Sequence, residues 1–297
     1  MKLHNLSLRD KATFSQYLAL DNHELSVYAF ENIYIWKELF EISWAIIEGS
    51  LCVFFRDKIG AFLYLSPLTN KLKPQVVPEV FKILDKFNAN KEISRIENAE
   101  EKDLAFYRNF GLECLQKSSD YLCLRDDLVE LKGDKFKSKR ASFNYFVKNY
   151  NFEYRLFAKQ DKTSCFKLYQ DWASKRRKNN RDVLYCGMLD DSLKTIKILL
   201  NDYEKLNYIG RVVKVEKKIK AFSFGFKLNT QTFCILYEIT DLSVKGLAQF
   251  IFRELCREMR DYKYINIMDD SGLENLKQVK LSYHPIRLVP AFIVKRK

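Results

Sequence analysis

The stretch at residues 232–294 leaves this chain the fewest ways to fold. Residues 232–239, Thr-Phe-Cys-Ile-Leu-Tyr-Glu-Ile, are β-branched and aromatic and predict a strand. A loop narrowing to Lys245-Gly246 follows, and Leu247, Phe250, Ile251 and Leu255 then recur at helical spacing. Tyr264-Ile265-Asn266-Ile267-Met268 predicts another strand. Asp269-Asp270-Ser271-Gly272 predicts a turn that caps a helix over 273–279, and Pro285 closes that segment before a final strand. The implied order is strand, glycine-bearing loop, helix, strand, helix, strand. A loop entering a helix directs free backbone N–H groups outward, where they hold a phosphate or another anion. With one glycine, the junction reads either as such a site or as a plain helix start.

The first half carries a similar order. Ser7 caps a helix marked by Phe14, Tyr17 and Leu18, and residues 25–40 read as a second helix whose aromatic stripe, Phe30, Tyr34 and Trp36, belongs to a core. Strand-like runs at 44–47, 51–55 and 61–65 are joined by Glu48-Gly49-Ser50 and Asp57-Lys58-Ile59-Gly60, which predicts an antiparallel meander. A helix over 79–87, a strand at 93–96, a helix over 102–110 ending at Gly111 and a strand at 114–124 follow. The second half repeats this: a helix around Phe143, Phe146 and Tyr150, a strand at 152–157, helices over 163–177 and 193–206, strands at 209–215, 219–226 and 232–239, then the closing segment. At 297 residues the chain suits two domains, 1–130 and 131–297, in an α+β architecture.

Charge narrows the partners. The formal net charge is +13, and residues 131–180 hold fourteen Lys or Arg against four Asp or Glu. A block of that sign steers phosphate-rich partners such as nucleic acid, CoA or an anionic membrane surface, or forms a solvated helix face. Seven cysteines without CxxC spacing and three scattered histidines, His4, His23 and His284, predict reduced buried thiols and no metal site. No apolar run reaches the length of a membrane helix and no signal peptide is legible, so the expectation is a cytoplasmic protein.

Wording adds to pattern. Glu238, Ser243-Val244-Lys245-Gly246-Leu247, Gln249, residues 266–270 and Lys280-Leu281-Ser282-Tyr283-His284-Pro285 resemble a bacterial domain family of unknown function grouped with the C-terminal domain of phosphatidylglycerol lysyltransferase. Residues 28–36, Asp120-Tyr121 and Leu131-Lys132-Gly133-Asp134-Lys135 through Lys139-Arg140 agree with it. The resemblance implies two tandem GNAT-like (acyl-CoA N-acyltransferase-like) domains, each a mixed, mostly antiparallel sheet flanked by helices. It also implies kinship with enzymes that move an aminoacyl group from tRNA. The chain departs from the family pattern at Ala141, Ile239, Ile267 and Met268, where polar groups are the rule.

On this reading Glu238, near the end of a central strand, is the general base and Asp269 a second catalytic carboxylate. Partial burial lifts a carboxylate toward neutrality, although Glu238 shares a face with Leu236 by simple alternation and reads equally as a partner for a lysine. Lys245, Gly246, Gln249, Lys277 and Lys280 are the expected donor-binding residues. Lys137, Lys139, Arg140, Lys175, Arg176 and Arg177, interleaved with Phe136, Phe143, Tyr145 and Tyr150, are the expected contacts to nucleic acid. The expected activity is aminoacyl transfer from aminoacyl-tRNA to an amine or hydroxyl, with no cofactor required. The alternatives are an acyl-CoA donor, or a non-catalytic protein binding RNA or an anionic membrane.

Overall fold

The computed structural model describes residues 2–297. In chain order the elements are β1 (His4–Asn5), α1 (Lys11–Leu18), α2 (Phe30–Tyr34), β2 (Glu41–Ile47), β3 (Ser50–Arg56), β4 (Ala61–Leu63), α3 (Val76–Phe87), β5 (Arg95–Glu100), α4 (Leu104–Asn109) and β6 (Glu113–Leu124). Then come α5 (Arg125–Glu130), α6 (Lys137–Asn149), β7 (Phe152–Leu156), α7 (Lys162–Asn179), α8 (Val183–Asp202), β8 (Tyr208–Val215), β9 (Lys218–Lys227), β10 (Thr232–Thr240), α9 (Leu247–Glu258), β11 (Tyr264–Asn266), α10 (Glu274–Leu281) and β12 (Arg287–Lys295). The fold is mixed α+β, with mostly antiparallel strands and flanking helices.

Most expected elements are present, and each departure has a specific cause. Ser7 forms a capping box with Asp10 over a 3-10 turn that leads into α1. The aromatic stretch 25–40 is no single helix. The Ser26 N–H is taken by Asp120 Oδ2 at 2.6 Å and the Tyr28 hydroxyl donates to the Asn98 carbonyl at 2.8 Å, so tertiary bonds hold 25–29 outside a helix and leave the short α2. Helix α8 begins ten residues before the expected 193 because Asp182 accepts from the Tyr185 N–H at 2.7 Å and caps it there. Helix α5, unforeseen, ends where Leu131 turns left-handed at φ +52°.

Two compact units result. The first takes the chain up to Asp120 together with Asp269–Glu274 and Leu288–Lys297, and the second takes Tyr121–Met268 and Asn275–Arg287. This division differs from the expected 130/131 boundary by exchange of final strands. In the first unit β12 pairs antiparallel with β5 (Phe292↔Ala99, Val294↔Ile96), and in the second the end of β6 pairs with β11 (Leu122↔Asn266). Element order repeats along the chain, but it does not say which partner a last strand finds.

The first unit carries the meander β2-β3-β4, with β4 beside β5 in parallel, around a core that includes Phe54, Leu63, Val80, Leu84, Tyr107 and Val294. The second carries β7-β8-β9-β10 as antiparallel neighbours, with β11 parallel to β10. Helices α6 and α9 pack over β8 and β9 through Phe146, Leu247, Phe250 and Ile251. Each such ring or branched side chain removed from water contributes about 1.5–3 kcal/mol. A second cluster, Phe233, Ile235, Phe252, Leu255, Cys256, Ile265 and Tyr283, lies beside the site described next.

Candidate functional site

Strand β10 runs past its parallel partner. It pairs with β11 only through Thr232, Phe233 and Cys234, so residues 235–240 have β9 on one side and no β11 on the other. The register with β9 also shifts between Ile235 and Tyr237, which marks a bulge at Leu236. A bulge adds one residue to the alternation and reverses which face each later side chain takes. Tyr237 therefore points to the α8 side, its hydroxyl 2.5 Å from Thr195 Oγ1. Glu238 joins the face of Phe233 and Ile235, with Tyr283 and Cys256 as neighbours. The alternation that grouped Glu238 with Leu236 is corrected by this bulge.

Glu238 is buried among apolar side chains. Its Oε2 is sealed from solvent without a hydrogen-bond partner. Burial pushes the carboxyl up to about 8, and the charge of Lys139 draws it back down. Lys139 shows the reciprocal pattern: loss of water lowers its ammonium below the ordinary lysine range and Glu238 raises it. Its Nζ stands 3.7 Å from the centre of the Tyr283 ring. Carboxylates with raised proton affinity beside a cation in an apolar pocket recur both at catalytic sites and in structural ion pairs. The hydroxyl of Tyr283 is itself driven well above its usual range by burial and then by Glu238.

Lys139 thus stands with Glu238, whereas the sequence grouped it with nucleic-acid contacts. The lysine is tested through its charge. Lys139→Gln is expected to move the pH–rate profile to more alkaline pH and to lower the rate at pH 7 by up to roughly tenfold. A profile that does not move would remove Lys139 from the site.

The expected donor-binding residues divide. Gly246 is the left-handed residue ahead of α9, at φ +82°, and a Cβ there would lie 2.1 Å from the Ser142 carbonyl oxygen of α6. That contact accounts for the glycine by packing. Lys245 reaches Nζ over the Tyr145 ring at 4.5 Å, and Gln249 is half-buried on the first turn of α9. Lys277 is exposed, but Lys280 is buried with its Nζ donating to the Ile267 carbonyl, which ties α10 to the end of β11 and is no phosphate contact on a solvated face. Asp269 accepts from Ser271 N–H at 3.3 Å, and Asp270 from Gly272 N–H at 2.9 Å, so both shape the turn.

The basic residues divide likewise. Arg140 donates to the carbonyls of Leu131 and Gly133, the latter at 2.6 Å, and locks the segment between α5 and α6. Arg177 pairs with Asp190 at 2.5 Å, Arg176 lies over Trp172 at 5.2 Å, and Lys175 reaches Asp241 at 3.4 Å. Lys137 is exposed. His284 is a structural residue, its Nε2 3.2 Å from the Lys135 carbonyl oxygen and its ring edge-on to Phe136. Sequence reasoning missed that Lys139 comes within electrostatic reach of Glu238 and that Cys256 and Tyr283 are its neighbours. The exposed lysines between β8 and β9 were also passed over, although the run Lys214 to Lys220 was a visible signal.

The model of the family "phosphatidylglycerol lysyltransferase, C-terminal" matches residues 19–295. A conserved protein of unknown function from Bacteroides thetaiotaomicron VPI-5482 superposes with a TM-score of 0.90 at 24% identity, covering 100% of both chains. L-PGS from Bacillus licheniformis superposes with a TM-score of 0.67 at 15% identity over 97% of this chain and 92% of that one. FemX gives 0.61 at 10% identity over 99% and 97%. No curated protein matches the sequence significantly. Among the described residues no helix is long and apolar enough to cross a membrane.

Proposed function

This chain belongs to the phosphatidylglycerol lysyltransferase C-terminal family, and from that premise we propose that it transfers an aminoacyl group from aminoacyl-tRNA to an amine or hydroxyl acceptor. The two compact units are read as tandem GNAT-like domains, with the chemistry in the second. The observation that carries the reading is Glu238, whose buried and unpartnered Oε2 sits where β10 has left its parallel neighbour.

In the ionised form Glu238 takes the proton from the acceptor nitrogen or oxygen as that atom attacks the ester carbonyl of the donor. The carbon–oxygen bond to the ribose breaks, and the ribose oxygen leaves with the proton that Glu238 took, which returns the carboxylate to its ionised form. The low local dielectric strengthens the field of the Lys139 ammonium on the oxyanion that develops at the carbonyl. Apolar walls from Ile235, Phe252 and Tyr283 keep competing water from the ester. A charged tRNA donor fits action in the cytoplasm.

The test is a single-turnover assay with tRNA charged with a labelled amino acid, offered lipid, peptide and small-amine acceptors, alongside acetyl-CoA. Label leaving tRNA for an acceptor faster than it hydrolyses supports the reading. Transfer from acetyl-CoA with none from tRNA replaces it with an acyl-CoA enzyme.

A further inference from the structure

A groove of about 770 Å³ opens in the second unit between α7 and the β8–β9 hairpin, with Thr240 and Asp241 at its base. Seven lysines and three aspartates line it, a formal excess of four positive charges. Lys167, Lys175 and Lys178 come from α7, and four more come from the hairpin. Both residues of the hairpin turn, Glu216 and Lys217, have left-handed φ of 51° and 63°, the tight turn that carries Lys217 and Lys218 into solvent at its tip.

The charges have two roles. At the base, Asp241 accepts from Lys220 at 2.7 Å and from Lys175 at 3.4 Å; against the cost of burial, Lys220 and the hydroxyl and N–H of Ser243 hold its carboxyl well below the usual range. That triad fixes the end of β10 to α7 and β9. Above it, Lys167 and Lys178 on one wall and Lys217 and Lys218 on the other are exposed. Asp161, the most buried of the aspartates, is already spent on Arg155 at 2.6 Å.

We infer that this groove binds the phosphodiester backbone of an RNA and is the docking surface for the body of the donor, an inference that rests on the aminoacyl-tRNA reading above. Lys167 and Lys178 stand about 16 Å apart along the helix axis, a span of roughly five phosphates on one duplex strand. Concavity favours a strand over a membrane: a flat lipid surface reaches the rim lysines but not the base. Thr240 in the groove stands two positions beyond Glu238 on β10, about 7 Å along the strand. The groove therefore opens at the same end of β10 as the carboxylate.

The experiment measures binding of uncharged tRNA by fluorescence anisotropy between 0.05 and about 0.3 M salt. Lys217→Gln with Lys218→Gln is expected to weaken binding roughly tenfold to a hundredfold at 0.1 M salt and to reduce the slope of log K against log salt by about two. Lys167→Gln with Lys178→Gln, on the other wall, is expected to do the same. A charge-matched control at exposed Lys58 and Lys86 of the first unit leaves the slope unchanged. Transfer from a short aminoacylated 3′-terminal oligonucleotide, which ends before the groove, stays at the native rate in both groove variants.

Loss of tRNA affinity in the groove variants with no transfer in any form would leave the RNA groove standing and remove the aminoacyl-transfer reading. Equal affinity and slope in the native protein and both groove variants overturns the groove. Weakened binding to phosphatidylglycerol vesicles with unchanged RNA affinity overturns it in favour of a lipid surface.

Discussion

Glu238→Gln is expected to lower the first-order rate of aminoacyl transfer by about 10²–10⁴ while leaving tRNA affinity unchanged. Gln keeps the shape and the neutral charge that the protonated side chain has but accepts no proton. In the native protein the rate should climb with pH and level off above about 8, because only the ionised carboxylate serves as base and burial has raised it to about 8. At pH 7 roughly a tenth of the molecules carry the ionised form. A native rate in the Gln variant would remove the base from the mechanism.

Stability should move the opposite way. The folded state holds the Glu238 proton more tightly than the unfolded chain between 4.5 and about 8. The stabilising contribution of the neutral side chain is therefore complete below pH 4.5 and is lost as pH rises through about 8, a change on the order of a few kcal/mol. Glu238→Gln should abolish that part of the pH dependence and be more stable than the native protein at pH 9. Urea unfolding of both proteins at pH 6 and pH 9 measures it.

Gly246→Ala is expected to destabilise the second unit by about 3 kcal/mol or more, since two costs combine. A left-handed φ of +82° costs an alanine about 1 kcal/mol, and its Cβ would lie 2.1 Å from a backbone oxygen of α6, which has to move. Gly133, in the same unit, separates the two: its φ is +80°, but nothing lies within 4 Å of a Cβ built there. Gly133→Ala should cost only the first part. If the two variants unfold at the same urea concentration, the contact between α6 and the start of α9 is not what requires the glycine.

The resemblance quoted at Glu238, Lys245-Gly246 and Lys280 to Pro285 led to the family, and periodicity located nearly every strand and helix. Local signals sufficed there because alternation, helical spacing and capping residues act within a few positions of themselves. Ser7 and Gly111 ended elements where their chemistry says they should. The same signals failed at 25–40, where the Asp120 carboxylate and the Asn98 carbonyl lie 94 and 70 residues from their partners.

The site shows the division most sharply. Glu238 was legible as a carboxylate near a strand end, but its face was not, because one bulged residue at Leu236 reverses the alternation and leaves no mark in composition. Lys139 was one cation in a basic block until folding set it beside Glu238, 99 positions away. Lysines on α7 and on the β8–β9 turn likewise meet only when the sheet forms. Most elements, the family and the excess of positive charge were legible along the chain, because they are properties of sequence neighbours. Tertiary structure alone decided which strand each last strand joins, which glycine is packed tight and which base meets which cation, since these depend on distances through space that loop closure, not spacing, sets.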